Sequence, residues 1–308
     1  MLSSILTCVG SGGTAGCVVA GRLAEDPKLS ILVVEAGVHC EKVPATQMGA
    51  GFALIVDTDA DWNIKGKPGA GTNERPIHLS RGKFLGGSSG CNGTLCIRGT
   101  KQDYDDWGIE GWNGEEMFKY MSKAEAFHTK PWFKADTKSH GTNGELHTEP
   151  HDLAPIAERL LDSFQSQGLP LDHDMFTTGN TPHGCGHAVR SIYQGTRTFG
   201  ADYITKNQKQ NNTIKTETFV DKLILEQVGG ELHATGVDVV TADGTKATFK
   251  ARKEVVLSAG AYCSPAILLR SGIGARNEVE QLGIPSQIDL PGVGKNLMDH
   301  LVRTSLMP

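Results

Sequence analysis

The chain has 308 residues, enough for one large domain or two ordinary ones, and its 30 basic and 35 acidic residues leave a net charge of −5. With no Lys/Arg stripe, that balance argues against a nucleic-acid partner, and no run of about 18 apolar residues exists to span a membrane. The 38 glycines favour tight turns and close backbone approaches over a helical bundle.

Ile5 to Val9 is a short apolar run ending in glycines, the pattern of a buried parallel strand. Thr14 to Ala24 reads as a helix, with Val18, Val19 and Leu23 on one face, small residues on the other, and Pro27 as its stop. Leu29 to Val34 is a second buried strand, so the first thirty-odd residues form a βαβ unit. Residues 40–80 lack periodicity. A Gly-rich turn, RGKFLGGSSG, occupies 81–90, and a helix is predicted from about Asn113. Residues 127–212 are polar and irregular, suited to a cap or substrate-side region. Thr216 to Glu226 and Glu231 to Val240 read as a hairpin across Gly229–Gly230. A buried strand follows within Lys250 to Gly260, then a short helix over Pro265 to Ser271 closed by Gly272.

The segment Gly10-Ser11-Gly12-Gly13-Thr14-Ala15-Gly16 carries the first chemical signal. A dinucleotide site needs a tight turn, a backbone without Cβ beside the pyrophosphate, and a close helix–strand contact. The helix N-terminus then supplies N–H groups and a positive dipole end. An acidic residue about twenty positions on meets the ribose hydroxyls, and Glu35 stands at the end of the second strand. Anchored on Gly16, the pattern meets Ser11 where it expects glycine; anchored on Gly10, it meets Ala15. Both registers stay open. A glutamate rather than a basic residue at 35 argues against a 2′-phosphate.

Two further segments narrow the field: Arg81-Gly-Lys-Phe-Leu-Gly-Gly-Ser-Ser-Gly-Cys-Asn92-Gly93, and Gly260 to Gly274 with its Ser-Pro-Ala-Ile-Leu-Leu run. With GGTAGCVVAGRLAEDP and GVGKNLMDHL at 292–301, the chain resembles the glucose–methanol–choline (GMC) oxidoreductases from about residue 9 to about residue 301. The resemblance implies an α/β fold: a discontinuous Rossmann-like FAD-binding domain over 1–126 and 212–301, with a partial antiparallel substrate-binding region at 127–211. It implies FAD as cofactor, a small alcohol or sugar as donor, and oxygen or another electron carrier as acceptor. Carried over by position, Gly13, Thr14 and Ala15 fall under the pyrophosphate and Glu35 on the adenosine ribose. Gly87, Ser88, Asn92, Gly93 and Leu95 fall beside the diphosphate and flavin ring, and the Val220 backbone meets the adenine. Gly86 and Gly87 are expected to lack side chains so that the chain can pass the edge of the flat flavin.

Three departures accompany the resemblance. Ser11 is one. Cys91, where some relatives carry a flavin-linking histidine, is the second, and is read as a small buried residue. The third is length: the family's catalytic His, with a second His or Asn, is expected beyond Pro308, so no catalytic residue is assigned. An inactive FAD-binding fragment is therefore the rival reading. An NAD-dependent dehydrogenase shares the first motif but not the later two.

The opening MLSSILTCVG lacks the basic and apolar regions of a signal peptide, and seven scattered cysteines include no Cys-x-x-Cys pair. A reduced, cytoplasmic protein without a metal is expected. His183 and His187 flank Cys185 in PHGCGH, but no matching ligand pair lies near, so the segment reads as a Gly-rich loop. His300 belongs to the NLMDH stretch rather than to a catalytic base.

Overall fold

The structure is a computed structural model describing residues 7–206 and 208–299; His300 and Ile5 lie outside the described residues. The chain divides into two units. One takes residues up to Gly37 and again from Lys209; the other is Val38–Gln208. These compact units divide at 37/38 and 208/209, while the FAD domain that the resemblance implies is bounded at 126/127 and 211/212.

The first unit is an α/β layer. Strands β1 (Thr7–Val9) and β2 (Ile31–Val34) flank helix α1 (Thr14–Leu23), as the apolar runs predict. All four β2 residues are buried, the mark of a strand covered on both faces. A third strand, β3 (Asn212–Lys215), pairs in parallel with β2.

The chain then makes an antiparallel meander: β4 (Thr218–Val228), β5 (Glu231–Thr241) and β6 (Lys246–Lys250). Gly229 and Gly230, at φ 61° and 91°, supply the two positive-φ positions of a tight hairpin turn. Strand β7 (Glu254–Val256) returns to the parallel layer beside β1, giving the order β3-β2-β1-β7.

Helix α2 (Gly260–Arg270) begins a turn earlier than Pro265, because proline favours a first helical turn but is held here one turn inside. Leu32, Val34, Val220, Leu223, Val237 and Ile267 form one buried cluster, joining sheet, meander and α2 into a single core.

Helix α1 faces its sheet differently from the sequence pattern. Gly16, Cys17 and Ala20 are the buried positions, whereas Val18 and Val19 are half-buried. Close approach selects small side chains over large apolar ones. Asn211 secures the α1–β2 connection, its Nδ2 donating to the carbonyls of Ala24, Asp26 and Leu29 at 3.0–3.3 Å.

The second unit is mostly irregular up to Gly90, with 3₁₀ turns at Cys40–Lys42, Pro44–Gln47, Gly51–Leu54 and Gly87–Gly90. The predicted helix is present as Gly114–Ala124, capped by Asn113, whose Oδ1 accepts the Glu116 N–H at 3.1 Å. The polar region read as a cap supplies two strands of a four-stranded sheet built from Leu95–Cys96, Val189–Arg190, Leu146–Pro150 and Glu125–Phe127, parallel in its last pair and antiparallel in the others.

Its buried centre is ionic. The His140 ring places Nδ1 3.0 Å from Glu125 Oε2 and Nε2 2.9 Å from Asp174 Oδ2, with the Phe127 ring stacked on it at 3.6 Å. Arg98 Nη2 adds a contact to Glu125 Oε2 at 3.1 Å.

Among the described residues, no helix is long and apolar enough to cross a membrane. No group of three or more His, Cys, Asp or Glu among them is placed to hold a metal ion. His187 is buried edge-on against Trp132, while His183 is exposed.

Candidate cofactor site

One set of predicted cofactor positions is the turn between β1 and α1. A Cβ on Gly16 would overlap the Ser11 carbonyl oxygen and stand 2.8 Å from Ser258 Oγ. A Cβ on Gly10 would meet only the Leu257 side chain, at 3.0 Å, and the Val256 carbonyl at 3.5 Å. The position that tolerates no side chain is therefore Gly16. This selects the register anchored there and makes Ser11 the residue standing in the first glycine's place. Gly13 precedes the helix as its cap without any side-chain hydrogen bond, and Thr14 and Ala15 are exposed in its first turn. An uncapped helix start with its dipole pointing outward suits an anion.

Glu35 stands beside it at the end of β2, only 4% exposed. Its Oε1 accepts the Gly37 N–H at 2.9 Å, and its Oε2 faces the Ser11 hydroxyl at 3.4 Å. Burial pushes its carboxyl up to about 7, although hydrogen bonds from Gly37, Gly12, Ser11 and Ala36 pull the other way. Its oxygens keep lone pairs beyond these contacts, so the carboxyl can accept further hydrogen bonds.

Ser11, a departure in the sequence, has a role here: its Oγ accepts the Gly13 N–H at 3.1 Å while its own O–H points to Glu35. Ser11→Ala is expected to raise the Glu35 midpoint further, by roughly half a unit to one unit for one lost hydrogen bond. Carbon-13 NMR of labelled glutamates reads that midpoint without any ligand, and an unchanged midpoint would remove the role given to Ser11. Val220 lies in β4 with its side chain in the core, beside a register shift before Lys222. Its carbonyl and that of Asp221 accept from Arg270 at 3.4 and 2.8 Å.

Other predicted cofactor positions lie in the glycine-rich stretch of the Val38–Gln208 unit. Gly86 and Gly87 adopt φ of 97° and 52°. A Cβ on Gly86 would press into the Phe199 ring (2.6 Å to Cδ2), so the protein's own packing already requires glycine here. The Ser88 Oγ accepts the Gly82 N–H at 3.3 Å. Asn92, Gly93 and Leu95 are exposed together, and a Cβ on Gly93 would meet nothing within 4 Å. Between them Thr94 is buried and held at φ 68°, a strained setting for a β-branched residue. Cys91 is half-buried, and burial pushes its thiol up, which makes it a poor nucleophile.

Behind this surface lies a residue without any sequence signal. The Arg197 side chain is completely buried and donates to the Asn92 Oδ1 at 2.6 Å and to the carbonyls of Asn92, Ser89, Met48 and Gly49 at 2.9–3.3 Å.

The GMC oxidoreductase model matches residues 6–302. The chain belongs to the GMC oxidoreductase family. FAD is the cofactor of that family. A dehydrogenase named str4 from Strobilurus tenacellus is 35% identical over 302 residues, covering 94% of this chain and 49% of the relative. The oxygen-dependent choline dehydrogenase of Photobacterium profundum is 33% identical over 298 residues, covering 94% and 50%. Among solved structures, the Aspergillus oryzae formate oxidase, described for its FAD modification, superposes with a TM-score of 0.84 at 32% identity, covering 93% of this chain and 50% of that one. The chain thus spans about half the length of the curated relatives it matches.

Proposed function

We propose that this chain forms the cofactor-binding part of an FAD-dependent oxidoreductase acting on the CH–OH group of a small alcohol- or sugar-type donor. The observation that carries this reading is the β1–α1 turn, where Gly16 admits no side chain and a buried Glu35 waits at the end of the next strand. Gly13, Thr14 and Ala15 would hold the pyrophosphate, Glu35 the adenosine ribose, and the Val220 backbone the adenine. Gly87, Ser88, Asn92, Gly93 and Leu95 would hold the flavin end. On this reading residues 1–126 and 212–301 make one discontinuous FAD domain, and residues 127–211 contribute to the donor side. When bound, FAD supplies the hydride acceptor. The chain's own residues bind and orient it and exclude water. Relatives named as dehydrogenases and oxidases leave oxygen and other carriers as candidate acceptors.

Uptake of FAD, read by flavin absorbance and fluorescence quenching, tests the reading; a chain that takes up none refutes it. Glu35→Gln is expected to weaken FAD about 10- to 100-fold, the worth of a charged hydrogen bond at a buried site. The pH dependence carries a sign. The ribose hydroxyls need a charged acceptor, and the Glu35 midpoint without ligand lies near 7. Affinity is therefore expected to be level above that pH and to weaken as pH falls below it, at most about tenfold per unit. In Glu35→Gln this slope should vanish.

A further inference from the structure

The surface on which Asn92, Gly93 and Leu95 lie exposed is fixed from behind by one buried cation. Arg197 is 0% exposed, and its guanidinium is shared among four backbone carbonyls and one side-chain oxygen, Asn92 Oδ1, at 2.6 Å. That last contact settles which way the Asn92 amide faces. An amide offers an acceptor on one side and two donors on the other. Turning it over would set NH₂ against a guanidinium, donor against donor, in a dry interior. The same Oδ1 also accepts the Thr94 N–H at 2.9 Å, which holds the strained Thr94 backbone at φ 68°. Both acceptor directions of Asn92 are therefore used inward. Among the described residues its Nδ2 donates to nothing, and the residue is exposed.

We propose that Arg197 is a positioning residue that locks Asn92 with its amide donors outward, presenting them to acceptor atoms at the flavin end of FAD. The inference rests on the reading of this stretch as the flavin side of the site. Arg197 acts through Asn92 and does not touch the ligand. The chemistry it selects is an uncharged, acceptor-rich edge such as the carbonyl and ring-nitrogen edge of a flavin. A carboxylate at the same place would pair with Arg197 equally well but would show that edge no donor.

The test follows from that contrast. FAD and ADP affinities are measured by titration of the whole chain for wild type, Asn92→Asp and Arg197→Gln. ADP lacks the flavin end and reports on the adenosine–diphosphate half alone. Asn92→Asp keeps a partner for Arg197, so its melting temperature should stay within a few degrees of wild type. Its FAD affinity is expected to fall about tenfold, and its ADP affinity to stay within twofold. Arg197→Gln should show the same split together with faster amide hydrogen exchange over residues 86–95. Asn92→Asp alone decides the matter if Arg197→Gln does not fold. Unchanged FAD affinity in Asn92→Asp, or parallel losses of FAD and ADP, would overturn the proposal. A wild-type chain that takes up no FAD would sink the functional reading itself and this inference with it, and that failure shows in the unmutated protein.

Discussion

Gly16→Ala is expected to unseat the first helix and abolish FAD uptake. The added methyl overlaps the Ser11 carbonyl oxygen and crowds Ser258 Oγ at 2.8 Å. The carbonyl is fixed backbone of the turn itself and cannot swing aside, whereas the Ser258 hydroxyl can rotate away. Helix α1 must lift, and Cys17 and Ala20, both 0% exposed, lift with it. Overpacking of this kind costs about 3 kcal/mol or more. For a domain of this size that is a fall of roughly 6–12 °C in melting temperature. Gly13→Ala is the control. Its methyl would stand 3.3 Å from the Ser11 Oγ, a contact that a rotamer change relieves. A loss under about 1 kcal/mol is expected there. Thermal melts of both variants check the contrast, and a Gly16→Ala protein as stable as Gly13→Ala would show that the turn is looser than its geometry.

The second large effect belongs to His140. Burial alone would lower its midpoint, but hydrogen bonds and charge from Asp174 and Glu125 outweigh it and push the ring up to about 9. Glu125 is likewise opposed by burial, yet the bonds from His140, Thr148 and Gly141 hold its carboxyl below the usual range. For His140 the folded midpoint lies above the ordinary imidazole value of 6.5. Its contribution is then fully present below pH 6.5 and is lost as pH rises through 9, about 3 kcal/mol in all by linkage. The Glu125 contribution runs the other way, present above its ordinary range and lost as pH falls. Urea unfolding at pH 6, 8 and 10 should show stability declining across the upper interval. His140→Gln should flatten that decline and cost about 3–5 kcal/mol at pH 6, because two buried carboxylates lose the cation between them. A wild-type midpoint that stays level from pH 6.5 to 9.5 would contradict the charged state assigned to the ring.

Much of the first unit was legible in the sequence, because its signals are local. Apolar runs ending in glycine, a helix of small residues, and a Gly-Gly pair between alternating strands each declare themselves within a dozen positions. Glu35 was legible for the same reason. The register of the turn was not, since Gly10 and Gly16 are the same letter and only the overlap at Gly16 separates them. Strand β3 escaped notice as part of the parallel layer because a four-residue strand, Asn-Thr-Ile-Lys, carries no pattern that names its partner. In the second unit the sheet joins strands of two to five residues drawn from residues 95–190, too short for periodicity to show. Arg197 sits in Gly-Thr-Arg-Thr-Phe-Gly, where an arginine reads as a solvated charge. Its importance lies in acceptors from residues 48, 49, 89 and 92, which no local pattern gathers.

The pairing of Ile31 with Asn212 has a consequence for synthesis. Strand β2, Ile-Leu-Val-Val, can meet β1 as soon as both leave the ribosome, but its other edge stays open until the whole of Val38–Gln208 has been made. At roughly 5–20 residues per second that delay is on the order of 10–40 s. Throughout it, four apolar residues with unpaired N–H and C=O groups offer a template for another chain. Nascent protein caught at that stage is the form most in need of a chaperone, and slower translation of the inserted unit would lower the yield of folded chain without changing its final stability.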